Sequence, residues 1–236
     1  MIPEAQRSRR LPVYILADRS GSMSGEAIVA VNQGLQFLKN DLENEPRAVE
    51  SIWISVISFG GHATVDVPLT ELLSFVPPTL NAEGSTPLGE ALRLLNQAID
   101  HDIILGSGQH TGDYKPLVFL FTDGEPTDEW RGPALEVKQR NQAKTANMIA
   151  IGCGPNTNSA TLKEITESVM LMENVNGGDF QKLLAWISQS AKRASQVRPS
   201  GDPNAQNQVT LPPPPFGLSD RPVNSLPTSF FCSPTD

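Results

Sequence analysis

Short apolar runs alternate with helical stripes across residues 1–196. Leu11 to Ala17 (LPVYILA) is an apolar run that ends at a turn, the pattern of a buried strand. From Ala27 to Leu42, the residues Ile28, Val31, Leu35, Leu38 and Leu42 recur three or four apart, which makes one face of a helix. Ile52 to Phe59 is rich in β-formers, and Ala63 to Val67 follows across Gly60-Gly61, so the two predict a hairpin. Thr86-Pro87 opens a helix bearing Leu88, Ala91, Leu92, Leu95 and Ile99, with Pro87 suited to a first turn and Thr86 a natural cap.

The second half repeats the alternation. Leu117 to Phe121 (LVFLF) predicts a buried strand, Ala134 to Ala143 a helix, and Met148 to Ile151 a strand stopped by Gly152. Leu162 to Ser168 predicts a short helix, Val169 to Met172 a last strand and Asp179 to Ala194 a last helix. Nearly continuous apolar strands between helices imply a doubly wound α/β fold: a mostly parallel sheet, covered on both faces, with Ala63–Val67 as an antiparallel edge. No internal repeat is visible.

Beyond Gln196 the pattern stops. Residues 197–236 hold nine of the chain's 20 prolines, including the run Pro212 to Pro215, and show no helical period. Such a segment buries too little to offset its ordering entropy and reads as a flexible tail, with residues 1–10 as a short N-terminal arm. Its hydroxyls (Ser200, Thr210, Ser219, Ser225, Thr228, Ser229, Ser233 and Thr235) are open to a kinase, the proline run suits polyproline II, and Asp220 or Asp236 could supply an autoinhibitory carboxylate.

Charge narrows the partners. The formal net charge is −8, which opposes binding to a nucleic-acid backbone. The apolar run near the N-terminus is too short for a secretion signal or a membrane span, so the expectation is a soluble cytoplasmic protein. The two cysteines, Cys153 and Cys232, make no disulfide framework and no metal-ligand spacing.

Doubly wound sheets bind ligands beyond the carboxyl ends of their strands. After the first strand comes Asp18-Arg19-Ser20-Gly21-Ser22; after LVFLF comes Thr122-Asp123-Gly124-Glu125; between them Gly84-Ser85-Thr86 precedes a helix. The donors on offer are all oxygens: hydroxyls from Ser20, Ser22 and Thr86, carboxylates from Asp18 and Asp123. Oxygen-only donors suit a hard cation, Mg²⁺ or Mn²⁺. If the hydroxyls bind directly and the aspartates partly through water, the cation keeps much of its charge and an open position for an Asp or Glu of a partner protein.

Asp18-Arg19-Ser20-Gly21-Ser22 resembles the DxSxS signature of the von Willebrand factor A (VWA) family. Gly84-Ser85-Thr86 with Ala91-Leu92 resembles its GxTxxxxAL segment, and Phe121-Thr122-Asp123-Gly124 its strand-terminal TDG. Together they resemble a complete metal-ion-dependent adhesion site. The resemblance implies a Rossmann-like sheet of six strands and a metal-dependent protein-binding domain, not an enzyme, over residues 11–196. Within the family, RRLPVYILADRSGSM and FTDGEPTDEW are similar to bacterial TerY-type tellurium-resistance proteins. That likeness implies an adaptor or scaffold in stress-response signalling, alongside a Ser/Thr kinase and a 2C-type phosphatase.

Competing functions leave weaker traces. A haloacid-dehalogenase-like phosphatase needs a second carboxylate two residues after its nucleophile, where Ser20 stands. An NTPase needs GxxxxGK[ST], which is absent, and Gly106-Ser107-Gly108 opens no apolar helix. An adaptor subunit of a chelatase-type ATPase is a further alternative. His62, His101 and His110 fit no ligand spacing and read as exposed loop residues. Trp53 and Trp186 fall on apolar faces and read as core. Trp130 reads equally as core or as an interface anchor. Arg19 reads as a solvated residue of the metal loop, with steering of an acidic partner as the sharper option.

Overall fold

A computed structural model describes residues 9–106, 112–142, 145–155, 157–172 and 177–196, the last without side chains at 177–181 and 194–196. Its strands are β1 (Leu11–Asp18), β2 (Ile52–Gly60), β3 (His62–Glu71), β4 (Leu117–Thr122), β5 (Asn147–Cys153) and β6 (Ser168–Met172). The helices are α1 (Glu26–Glu43), α2 (Pro46–Ser51), α3 (Leu88–Asp102), α4 (Arg131–Gln142), α5 (Ser159–Ile165) and α6 (Gly177–Gln196). The strands form one six-stranded sheet in the order β3-β2-β1-β4-β5-β6. All neighbours are parallel except the β2–β3 hairpin at one edge.

The all-apolar strands follow from this architecture, because a strand covered on both faces has no polar side. In β1, Leu11, Val13, Ile15 and Ala17 face a core shared with Val31, Leu35 and Leu38 of α1 and Leu183 and Ile187 of α6. Tyr14 and Leu16 face the other core, with Leu88, Leu92 and Leu95 of α3, Ala134 and Val137 of α4 and Leu162 of α5. Phe119 and Trp186 meet edge-to-face at 6.4 Å in the first core.

Several boundaries differ from expectation. Helix α2 went unforeseen: it is a single short run with Pro46 at its start. Strand β5 does not stop at Gly152 but runs to Cys153, because both residues pair with β6. The short helix sits earlier, at Ser159–Ile165, because the Asn158 side chain accepts from Ala160 N and caps it there. Thr86 does not cap α3, whose second and third amides are taken by Asp128.

The tryptophans divide. Trp186 and Trp130 are core. Trp53 is only half-buried, and the Arg10 guanidinium lies 4.9 Å from its ring centre. His62 and His101 are exposed. The arm's last two residues are pinned: Arg9 donates to Gly112 O, and Arg10 makes an ion pair with Asp113 at 2.6 Å. His110, Cys232 and the tail lie outside the described residues. Among the described residues, no helix is long and apolar enough to cross a membrane.

Candidate metal site

Strand β1 sits between β2 and β4, where the strand order reverses, the place beyond whose carboxyl ends doubly wound sheets bind ligands. Asp18 ends β1, and Asp123 follows the last residue of β4. The register fixes their height: Ala17 pairs with Phe121 and Asp18 with Phe59, so both loops leave the sheet at one level.

The loop after β1 is held from three sides. Arg19 N donates to Phe59 O at 2.8 Å, Gly21 N to Gly84 O at 2.9 Å, and Arg19 O accepts from Glu83 N at 2.7 Å. Gly84 adopts φ +70°, and a Cβ there would lie 2.6 Å from Gly61 Cα. This crossing brings the Gly84–Thr86 segment against the Asp18 loop.

The five candidate side chains converge. Asp18 accepts from Ser20 N at 2.8 Å and, through its second oxygen, from Thr122 Oγ1 at 2.5 Å. Ser20 Oγ and Ser22 Oγ are 3.0 Å apart, and Ser22 Oγ donates to Asp123 Oδ1 at 2.7 Å. Thr86 lies on the same side: a Cβ built on Gly124 would lie 3.2 Å from Thr86 Oγ1 and 3.5 Å from Ser22 Oγ. Adjacent oxygens around a six-coordinate cation bonded at about 2.1 Å are about 3 Å apart, so the spacing and the all-oxygen donor set fit a small divalent ion. Among the described residues, no three His, Cys, Asp or Glu side chains gather into a metal cluster, so a cation here must rely on the hydroxyls.

Burial is graded across the site. Asp18 and Ser20 are fully buried, Thr86 nearly so, Asp123 half-buried and Ser22 exposed. Burial pushes the Asp18 carboxyl above its usual range; hydrogen bonds from Thr122 and Ser20 oppose this, and the Asp123 charge adds to it. The nearest cation is turned elsewhere. Arg19 is buried, not solvated, with Nε on Ser58 Oγ at 3.2 Å and Nη1 on Glu83 Oε1 at 2.7 Å. Cys153, buried behind the site, has its thiol raised by desolvation and by Asp123 and Asp18. It is an inert wall residue.

Three supporting residues escaped the sequence reading. Thr122 locks Asp18, Thr127 Oγ1 accepts from Thr86 N at 3.1 Å, and Asp128 binds Gly89 N and Glu90 N at 2.8 Å each. The TDG motif carries a signal for Thr122. Asp128 carries none, because the helix it caps lies earlier in the chain.

This is a doubly wound, Rossmann-like α/β domain whose hydroxyl- and carboxylate-bearing loops stand at its topological switch point. The model of the von Willebrand factor type A domain matches residues 13–189, and the chain belongs to that family. No curated protein matches the chain. Among solved structures, proximal thread matrix protein 1 from the mussel byssus, with a zinc-occupied MIDAS motif, is 18% identical at TM-score 0.55, covering 78% of this chain and 48% of that one. This chain thus spans about half the length of the mussel protein. The conserved hypothetical protein BatB from Bacteroides thetaiotaomicron is 19% identical (TM-score 0.51; 76% of this chain, 96% of that one). Manganese-loaded TRAP protein from Plasmodium vivax is 20% identical (TM-score 0.51; 70% and 69%). At these identities the likeness is one of fold.

Proposed function

We propose that this chain is a metal-dependent protein-binding module. Asp18, Ser20, Ser22, Thr86 and Asp123 hold a divalent cation, Mg²⁺ or Mn²⁺, and an Asp or Glu of a partner protein completes its shell. The observation that carries this reading is the gathering of three hydroxyls and two carboxylates from separate loops at the sheet's switch point, buried at Asp18 and exposed at Ser22. When bound, the cation supplies a positive centre for an anionic oxygen. The chain's residues fix its place: Thr122 and Ser20 N orient Asp18, and the exposed Ser22–Asp123 side leaves an approach from solvent.

The manganese and zinc held by the Plasmodium and mussel proteins support a divalent ion on this fold. The chain is a binding module and not an enzyme in this reading. Ser20, which stands where a phosphatase of the Asp-nucleophile type needs its acid, is hydrogen-bonded to Ser22 and has no acidic proton to give. The setting we assign is a cytoplasmic adaptor in a tellurium-resistance-type stress response, with a Ser/Thr kinase and a 2C-type phosphatase as partners. The ADRSGSM and FTDGEPTDEW segments support it.

Calorimetric titration of the full chain with Mg²⁺ and Mn²⁺ tests the site. One site is expected, lost in Asp18→Ala and Asp123→Ala. Unchanged binding in both variants would refute the assignment. Co-purification with a Ser/Thr kinase or a 2C-type phosphatase should weaken in EDTA, and capture indifferent to chelator would remove the metal from the interaction.

A further inference from the structure

Thr86 is the one candidate ligand that no hydrogen bond ties to the other four. Its hydroxyl is placed through its backbone, and that backbone is gripped by the loop following Asp123. Thr86 N donates to Thr127 Oγ1 at 3.1 Å, and Thr127 N returns a bond to Thr86 O at 2.9 Å. One residue further on, the Asp128 carboxylate forks onto Gly89 N and Glu90 N, the second and third amides of α3, at 2.8 Å each. Next to it, Glu129 O accepts from Arg93 at 2.7 Å, and a Cβ on Gly89 would lie only 2.0 Å from that same carbonyl oxygen. The two segments are therefore in backbone contact with no room between them.

We infer that Thr127 and Asp128 are positioning residues for the metal: they clasp the Thr86 segment to the Asp123 loop and set the gap the cation must fill. This rests on the metal reading above. Asp123 sits at the start of the clasping loop and Thr86 in the segment it holds, so a loosened clasp lets the two donors drift apart. Ser20 is held by the Asp18 carboxylate and by Ser22, and Ser22 by Ser20 and Asp123, bonds that the Thr127 and Asp128 contacts do not supply. Losing the clasp therefore weakens the site without dismantling it. Outer-shell partners that orient metal ligands are worth about 10- to 100-fold in affinity.

The test is Mn²⁺ calorimetry on the full chain, with the melting temperature in EDTA measured alongside. Thr127→Val removes the acceptor at nearly constant volume and should weaken Mn²⁺ about tenfold. Thr127→Ser restores the oxygen and should bind within about twofold of wild type. Asp128→Asn should weaken binding in the same direction. Asp41→Asn, which loosens the α1–α6 contact, should lower the melting temperature and leave Mn²⁺ affinity unchanged. Wild-type affinity in both Thr127→Val and Asp128→Asn overturns the clasp while the metal site stands. A loss in Thr127→Val that Thr127→Ser fails to rescue, or an equal loss in Asp41→Asn, reduces the clasp to general stability and overturns it too. Absence of Mn²⁺ binding by the wild type overturns the metal reading itself, and the clasp with it.

Discussion

At position 84 the chain takes a backbone conformation that residues with a Cβ adopt at a cost. Gly84 has φ +70°, and the atom that alanine would add meets Gly61 at its Cα and its amide nitrogen, 2.6 and 2.7 Å away. Neither is the end of a flexible side chain, so the segment must shift. Gly84→Ala should therefore destabilise the fold by about 1–3 kcal/mol, read from the urea midpoint, and should weaken cation binding because Gly84 O anchors Gly21. An unchanged midpoint would mean that the crossing yields. At this scale much of the site was legible. Asp18, Ser20, Ser22, Thr86 and Asp123 were readable because short oxygen-bearing residues after apolar strands form a pattern along the chain. Arg19 was misread for a physical reason: an arginine in a polar loop looks solvated until Ser58 and Glu83, far along the sequence, are brought to it.

Between elements, the α1–α6 contact holds a polar clasp within an apolar interface. Asp41 of α1 accepts from Ser188 Oγ and, at 2.8 Å, from Lys192 Nζ, both on α6. Desolvation raises the Asp41 pKa, but the bonds from Lys192 and Ser188 together outweigh it, and the carboxyl ends below its usual range. A depressed carboxyl adds stability that is complete above the unfolded pKa of about 3.9 and is lost as the pH falls through the folded value. Asp41→Asn should lower the melting temperature at pH 7 by about 2 °C, a modest figure because the pair is partly solvated. Melts of the two proteins should draw together as the pH falls from about 3.9 and converge once it is below the depressed folded value. A gap that persists in acid would assign the effect to packing instead of charge. The elements themselves were legible where periodicity was strong, as in α1, α3 and the apolar strands. They were illegible where a partner decided the boundary. Strand β6 carries β5 through Gly152, and Asp128 rather than Thr86 serves α3.

For the molecule as a whole, β1 is the shared wall of two cores. Ile15 points into the layer of α1 and α6, and Leu16 into the layer of α3, α4 and α5. Because neighbours on one strand support opposite faces, the two layers should unfold together. Ile15→Ala and Leu16→Ala should each cost about 2–5 kcal/mol. In urea, Trp186 of the first core and Trp130 of the second, each followed in a variant with the other tryptophans replaced by phenylalanine, should report one midpoint. Two separated midpoints would show layers that fold independently.

The sequence by itself determined the class of sheet, the edge hairpin and which oxygen-bearing side chains stand at the strand ends, because apolar period and short motifs are local properties of the chain. Tertiary structure alone decided how the donors meet. Register across β1 and β4 puts Asp18 and Asp123 at one level. The Gly61–Gly84 crossing delivers Thr86, and the loop from Thr127 to Glu129 grips it. Those contacts join residues dozens of positions apart, and no local pattern encodes a distance that only the folded sheet creates.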